Sequence, residues 1–315
     1  MISLSLSLYV TNPRPTPGVL RGRLQIDLTT APQLTVTKLL SADSTMSMTT
    51  SSALERDLES ASTLSLTTTG DLAPLWTPVD TELWLDESTI VECDTYVSVW
   101  QDKSGNNNDV VQPAAALQPR VHKTLNGLDI LTLAWSQLSQ DFTITNTAFT
   151  VFMVATLNDT STDYGQLVSL RKGDLPEEYW NSYSGVPLRR DTANDVRITY
   201  KTVTDENMPK ADINYDEFYI YSSVWSLDQL VLYLNGTEMD HQTMPQEIDS
   251  TEIRIGQSLA LANNEYWNGD VAEIIIVFND DTANRQYNEG YLAWKWGLES
   301  GLASDHPYKN VAPTA

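Results

Sequence analysis

From Pro78 to Phe278 the chain is a succession of short apolar runs broken by Gly, Asn and Asp, with almost no helical period between them. Ten runs read as strands: Glu82–Leu85, Tyr96–Trp100, Ile130–Leu133, Thr150–Leu157, Gln166–Arg171, Val196–Thr202, Glu217–Trp225, Leu230–Leu234, Glu252–Ile255 and Val271–Phe278. Strands joined by turns rather than helical crossovers pair with antiparallel neighbours, so the pattern predicts an all-β, antiparallel two-sheet sandwich and excludes a βαβ fold. Asn235-Gly236 after Leu230–Leu234 is the strongest hairpin signal, because both residues tolerate the positive φ of a type I′ turn. The run Ile274–Phe278 is apolar at every position and belongs at the centre of the sandwich. One helix is expected, over Thr282–Leu298, capped by Asp280 or Asp281 and ended by Gly297 or Gly301. Its stripe Tyr287, Tyr291, Trp294 and Leu298 should pack on the sheet as core.

Residues 1–77 have a different texture, rich in Ser, Thr and Leu with only Tyr9 and Trp76 as aromatics. The triplets Leu6-Ser-Leu8, Ile26-Asp-Leu28, Met46-Ser-Met48 and Leu64-Ser-Leu66 recur at offsets of 20, 20 and 18 residues, and the last three are each followed by Thr-Thr. Short alternating strands at a regular spacing are the mark of a structural repeat. A single thin layer buries little, so this arm is expected to pair with copies of itself or to dock on a larger assembly. On composition alone, a Ser/Thr-rich disordered leader is the alternative.

The 315 residues carry 19 Lys and Arg against 42 Asp and Glu, a formal charge of −23. Such a surface repels phosphate backbones and anionic lipid, and no run of Lys and Arg offsets it, so neither nucleic acid nor a membrane is an expected partner. No stretch of about 18 apolar residues is long enough to span a bilayer. The start, Met1–Tyr9, alternates Ser and Leu without a basic region and does not read as a signal peptide. The lone Cys93 excludes an intrachain disulfide, a CxxC redox pair and a Cys-rich zinc site.

The segments Leu83-Trp-Leu-Asp86, Val99-Trp-Gln-Asp-Lys-Ser-Gly-Asn106, Tyr233-Leu-Asn-Gly236, Ile255-Gly256, Trp267-Asn-Gly-Asp-Val-Ala-Glu273, Glu289-Gly-Tyr-Leu-Ala-Trp-Lys-Trp-Gly297 and His306-Pro-Tyr308 carry a family likeness. Over residues 78–315 the chain resembles the concanavalin A-like, laminin-G-type jelly-roll domains of phage virion proteins and bacterial surface proteins. The resemblance implies two stacked antiparallel sheets that bind carbohydrate or protein through rim loops or the concave face, and it leaves activity open. The arm at residues 1–77 lies outside it. An attachment segment followed by an outward lectin-like domain is the layout of a virion fibre or decoration protein.

Catalytic groups are sparse. Glu55, Asp57 and Glu59 would share one side of an extended strand, as a retaining glycosidase needs, but no aromatic lies between Tyr9 and Trp76 to support a sugar, and a solvated charge cluster fits better. Within the large domain Glu238 and Asp240 are the nearest approach, with Thr243 where a third carboxylate would be needed; Asp270 and Glu273 read as structural loop acids. His122, in a loop setting, His241 and His306, in a packing role, supply no triad and no Gly-x-Ser-x-Gly elbow. Asp102–Asp109 has carboxylates and amides suited to Ca²⁺ but lacks the Asp-x-Asp-x-Asp-Gly pattern; a loop stiffened by Asx turns is preferred, and no metal or cofactor is expected.

Sugar recognition needs an aromatic face with fixed amides and carboxylates beside it. The long loop Gly173–Gly185 combines them: Tyr179, Trp180 and Tyr183 interleaved with Asp174 and Asn181 form the candidate carbohydrate site, and Asn263-Asn-Glu-Tyr266 is a second. The competing reading tucks these aromatics onto the sandwich. The expected function is thus a non-enzymatic virion surface protein. Its arm joins other virion proteins and copies of itself, as a possible homotrimer, and its lectin-like domain binds a host surface glycan. A polysaccharide-degrading enzyme and a purely structural capsid cement are the alternatives.

Overall fold

The structure, a computed structural model, describes residues 4–10, 22–28, 77–145, 148–158, 164–171, 184–190, 194–201, 206–243, 249–257 and 265–313. The chain divides into two units, Met1–Trp76 with Thr314–Ala315, and Thr77–Pro313. In the first, β1 (Leu4–Val10) and β2 (Gly22–Leu28) pair antiparallel, with Leu4, Leu6 and Leu8 opposite Leu28, Ile26 and Leu24. The first two repeat triplets are therefore partners in one sheet. The other two triplets, and Glu55, Asp57 and Glu59, lie outside the described residues.

The second unit is antiparallel β throughout its named strands and carries one helix near its C-terminal end. Its strands begin with β3 (Thr81–Leu85), β4 (Ile90–Cys93), β5 (Tyr96–Trp100), β6 (Val110–Val111), β7 (Arg120–Leu125), β8 (Leu128–Leu133) and β9 (Leu138–Thr145). They continue with β10 (Phe149–Ala155), β11 (Gln166–Arg171), β12 (Ser184–Arg190), β13 (Asp195–Lys201), β14 (Glu206–Asn207) and β15 (Lys210–Asp212). Then come β16 (Tyr219–Trp225), β17 (Gln229–Leu234), β18 (Thr237–Thr243), β19 (Asp249–Ile255) and β20 (Gly269–Val277), before the helix α1 (Thr282–Trp296).

All ten expected strands are present; the additional ones include short pieces such as β6 and polar strands such as β18, whose residues are mostly exposed. His122, expected in a loop, stands in β7, because Asn126-Gly127 forms the tight turn into β8 and pulls the preceding residues into register around a bulge at His122.

Hydrogen bonds run continuously through β18–β17–β16–β10–β20–β8–β7–β5–β6–β9–β19–β11–β12–β13–β15. The ring is nearly closed: the Lys210 amide of β15 donates to Asp240 Oδ1's partner oxygen, Oδ2, in β18 at 3.2 Å. Its two halves share one apolar core. Val151, Met153, Tyr221, Trp225, Leu232 and Ile276 from one half cluster with Val168, Leu170, Leu188, Ile198, Ile253 and Ile255 from the other.

The centre of one half is β20, flanked by β10 on one side and by β3 and β8 on the other. Its nine residues are all buried because both faces are covered, one by the shared core and the other by α1. Asp281 caps α1 by accepting from the Asn284 amide at 2.8 Å, and Gly297 ends it in the left-handed region at φ 71°. The stripe facing the sheet differs from the expected one. Arg285, Glu289, Leu292 and Trp296 are buried, together with Tyr291. Tyr287 and Trp294 are half-buried against the C-terminal tail, where Trp294 Nε1 donates to the Tyr308 carbonyl at 2.8 Å. The tail supplies a third surface that helical periodicity does not reveal.

Candidate functional site

The conspicuous charged groups hold α1 to the sheet. Glu273 lies in mid-strand, not in a loop, and is fully buried. It accepts from Trp84 Nε1 at 2.6 Å, Trp296 Nε1 at 2.7 Å and Tyr291 OH at 2.8 Å, and pairs with Lys295 Nζ at 2.9 Å. Burial pushes its carboxyl above the usual range, against the pull of Lys295. Burial acts the same way on Asp86, but Lys295 and Lys103, at 3.2 and 2.7 Å, outweigh it and hold that carboxyl low. Glu289 is likewise enclosed by Arg285, Ser222 Oγ and His306 Nε2, at 2.8, 2.7 and 3.1 Å. His306 therefore packs, as its motif suggested. Asp270, at the second position of β20, accepts from Thr132 Oγ1 and Lys123 Nζ at 2.6 and 2.8 Å. These groups are enclosed by protein donors and have no open side for a substrate.

The Asp102–Asp109 loop is stiffened as expected. Asp102 Oδ1 accepts from the amides of Trp84 and Ser104, both at 2.9 Å, and Oδ2 from the Asn108 amide at 3.0 Å and Ser104 Oγ at 2.7 Å. Four donors occupy both oxygens, so this carboxylate is poorly placed to ligate Ca²⁺. Among the described residues no group of three or more His, Cys, Asp and Glu side chains is arranged to hold a metal ion. A shallow depression of about 470 Å³ next to this loop, lined by Asp80, Glu82, Asn106 and Phe278, has its carboxylates bonded to Asn284 and Asn106 at 2.8 and 3.3 Å. Glu238 and Asp240 sit on β18, where His241 and the Lys210 amide engage them.

Asp174, Tyr179, Trp180, Asn181 and Tyr183 lie outside the described residues, as do Asn263 and Asn264. Glu265 and Tyr266 of the second candidate are described, and around them a rim assembles that the sequence reading did not single out. Trp135, in the turn from β8 to β9, is 54% exposed and has φ 56°. Tyr164, just before β11, is 42% exposed with φ 64°. Bulky residues seldom occupy this region, and holding one there costs about 1–3 kcal/mol, which the surroundings must supply.

They do so for Trp135. Ser136 is buried, its Oγ accepts from the Ala134 amide at 3.2 Å, and its carbonyl lies where a Cβ on Gly256 would come within 2.5 Å. The Trp135 ring then meets Tyr266 at 5.4 Å between centroids, inclined at 52°. Tyr266 forms bridges with Gln166 and Gln257, and Gln166 Nε2 donates to Glu265 Oε2 at 3.1 Å. Gln166 is paired across the ladder with Arg189, whose guanidinium lies 5.5 Å from the Tyr164 ring. Two exposed aromatics are thus tied to a strip of fixed amides and carboxylate at one end of β11 and β19. The one signal in the sequence was a Trp within a turn, Ala134-Trp-Ser136, where core packing does not call for it.

No family model matches the chain, and no curated protein matches it in sequence. Among solved structures it is similar to Trypanosoma rangeli sialidase, with TM-score 0.48 and 11% identity over 70% of this chain and 33% of that one. It is similar to domain 4 of AbnA, a GH43 extracellular arabinanase from Geobacillus stearothermophilus, solved with arabinotriose, with TM-score 0.49 and 10% identity over 64% and 94%. The binding domain of botulinum neurotoxin DC, in complex with SialylT, gives 0.44 and 12% over 68% and 52%. The chain spans about a third of the sialidase and about half of the toxin domain. At these scores the likenesses assign it no property of those proteins.

Proposed function

We propose that the protein binds carbohydrate, without catalysis, through the rim built on Trp135, Tyr266 and Tyr164. The observation that carries this reading is the Trp135 ring, more than half exposed yet fixed in a left-handed turn against Gly256 and Tyr266. An immobilised aromatic face loses little entropy when a sugar ring stacks on it, and neighbouring amides are ready to bond hydroxyls. Binding rather than hydrolysis is favoured by the engagement of the buried carboxylates in holding α1. The nearly closed antiparallel sheet around one core fits the jelly-roll sandwich that the motifs imply. We place the protein on a virion surface, with residues 1–77 as an attachment and oligomerisation arm and residues 78–315 projecting outward.

A glycan array on the full chain tests the central step. Trp135→Ala should weaken binding about tenfold, equal to roughly 1.4 kcal/mol, with the melting temperature unchanged. Unaltered binding by that variant sinks the assignment of the rim. The arm is tested by the mass in solution of the full chain against one starting at Pro78: trimer against monomer is expected, and two monomers refute it.

A further inference from the structure

The rim holds two glutamine amides, and they differ in what they have left to bond. Tyr266 forms a bridge with Gln166 on one side and with Gln257 on the other. Gln166 is engaged at both ends of its amide: Oε1 accepts from Ser169 Oγ, and Nε2 donates to Glu265 Oε2 at 3.1 Å. Gln257 is 4% exposed, and its Oε1 is buried without a hydrogen-bond partner. The great majority of buried polar groups in folded proteins are paired, and leaving one unpaired is costly, so this oxygen calls for an explanation.

Its position supplies one. Gln257 follows Gly256, whose φ of +89° and close approach to the Ser136 carbonyl seat the Trp135 turn. Across an antiparallel bridge Gln257 is opposite Tyr266, and residues opposed in this way share one face of the sheet with Cβ atoms about 4.5–5.5 Å apart. Tyr266 in turn meets the Trp135 ring at 5.4 Å. The unpartnered oxygen therefore lies beside Tyr266, deeper than the exposed Trp135 ring. The main chain around it is fixed. The Gln257 carbonyl accepts from Ser169 Oγ at 3.2 Å, while the Gly256 amide donates to the Leu167 carbonyl at 2.8 Å and the Gly256 carbonyl accepts from the Trp267 amide at 2.9 Å. The terminal torsion of a glutamine is broad and roughly two-fold, and turning it towards the rim breaks no hydrogen bond to Oε1, which has none.

We infer that Gln257 is the specificity-determining residue of the rim, its Oε1 accepting a hydrogen bond from a sugar hydroxyl when the ring stacks on Trp135. The inference rests on the reading of the rim as a carbohydrate site and adds the group that the ligand must present. That group is a donor, since a carbonyl oxygen can only accept. Stacking alone tolerates any apolar sugar face, whereas a polar atom left unpaired until the ligand arrives discriminates strongly against analogues that cannot pair with it. The ligand is a saccharide with a free hydroxyl next to its stacking face, and converting that hydroxyl to an ether removes the bond.

The test uses the full chain and four soluble polysaccharides, dextran, arabinan, galactomannan and xylan, each beside its O-methylated derivative, which keeps the skeleton and the acceptor oxygens but loses hydroxyl donors. In affinity electrophoresis the polymer that binds best should bind about fivefold or more tightly than its methylated form. Gln257→Met has a similar shape and no amide oxygen. It should weaken that polymer by about fivefold or more, bind the polymer and its methylated form alike, and leave the melting temperature unchanged or higher, because it removes a buried acceptor that has no partner. A lowered melting temperature shows that Gln257 serves the fold and overturns its role in binding. Unaltered binding by Gln257→Met, alongside binding weakened by Trp135→Ala, overturns that role too and leaves the aromatic rim standing. Equal binding of polymer and methylated form by the unmodified chain overturns the hydroxyl donor without recourse to any variant. Unaltered binding by both variants, or binding to none of the four polymers, removes the carbohydrate reading of the rim and this inference with it.

Discussion

Replacing Lys295 with Met should test whether the charges under α1 are there as a mutually dependent set. Lys295 Nζ lies 2.8 Å from Glu87 Oε2, 2.9 Å from Glu273 Oε2 and 3.2 Å from Asp86 Oδ2, and its side chain is only 14% exposed. Glu87, Glu273 and Asp86 together outweigh burial and raise its ammonium pKa. The Met side chain fills much of the same volume but leaves Glu273 with neutral donors alone, the two indole N–H groups and the Tyr291 hydroxyl. Removing one partner from a buried pair costs about 3–5 kcal/mol, chiefly because the other charge remains. For a unit of this size that lowers the melting temperature by about 10 °C.

The dependence on pH separates a stranded carboxylate from lost packing. Glu273 has a folded-state pKa above its unfolded value, so it favours folding fully below the unfolded value and less as pH rises through the folded one. Without Lys295 the folded value rises further. The deficit of Lys295→Met should therefore be largest near pH 8 and shrink towards pH 5. In the unmodified chain burial raises the Asp86 carboxyl but Lys295 and Lys103 hold it depressed, so its contribution is present above the ordinary carboxylate value and is lost on acidification below that range; without Lys295 it rises as well, in the same direction as Glu273, and Glu273→Gln is what isolates the share of Glu273. Urea denaturation at about pH 5 and pH 8, with Glu273→Gln alone and combined, measures both effects. The double variant should recover at least 1 kcal/mol over the sum of the singles. A deficit below about 1 kcal/mol at pH 8, or one that does not change with pH, refutes the reasoning.

Three further outcomes follow from single contacts. Gly256→Ala places a Cβ 2.5 Å from the Ser136 carbonyl at φ +89°, and should cost about 1–3 kcal/mol while also reducing carbohydrate binding through the displaced Trp135 turn; retained binding with lowered stability would detach the turn from the site. Asp102→Ala removes the acceptor of four hydrogen bonds and should lower stability by about 2–3 kcal/mol in chemical denaturation, whereas added Ca²⁺ or EDTA should leave the melting temperature of the unmodified chain unchanged. Asn126→Ala loses both the residue at φ 50° in the β7–β8 turn and the 2.8 Å bond from Nδ2 to the Lys295 carbonyl at the end of α1, for an expected cost of about 1–2 kcal/mol.

What could be read in the sequence is what local chemistry decides. Asn235 and Gly236 take φ 50° and 77° because no competing residue is comfortable there, and the hairpin between β17 and β18 follows. The helix start and stop are equally local, at Asp281 and Gly297. Strand β18 is harder. Thr237–Thr243 is polar on both sides, and it becomes a strand because β17 and the turn present a ladder to it, which no alternation of its own announces. Glu273 fails for a related reason: a carboxylate in an apolar run reads as the edge of a strand until α1 brings Lys295, the Trp296 indole and the Tyr291 hydroxyl to it from 18 or more residues away, and β3 adds the Trp84 indole.

The rim depends on still longer connections. Trp135, Tyr164, Arg189, Gly256 and Tyr266 are spread over more than 130 residues, and only the order of the strands places them at one end of β11 and β19.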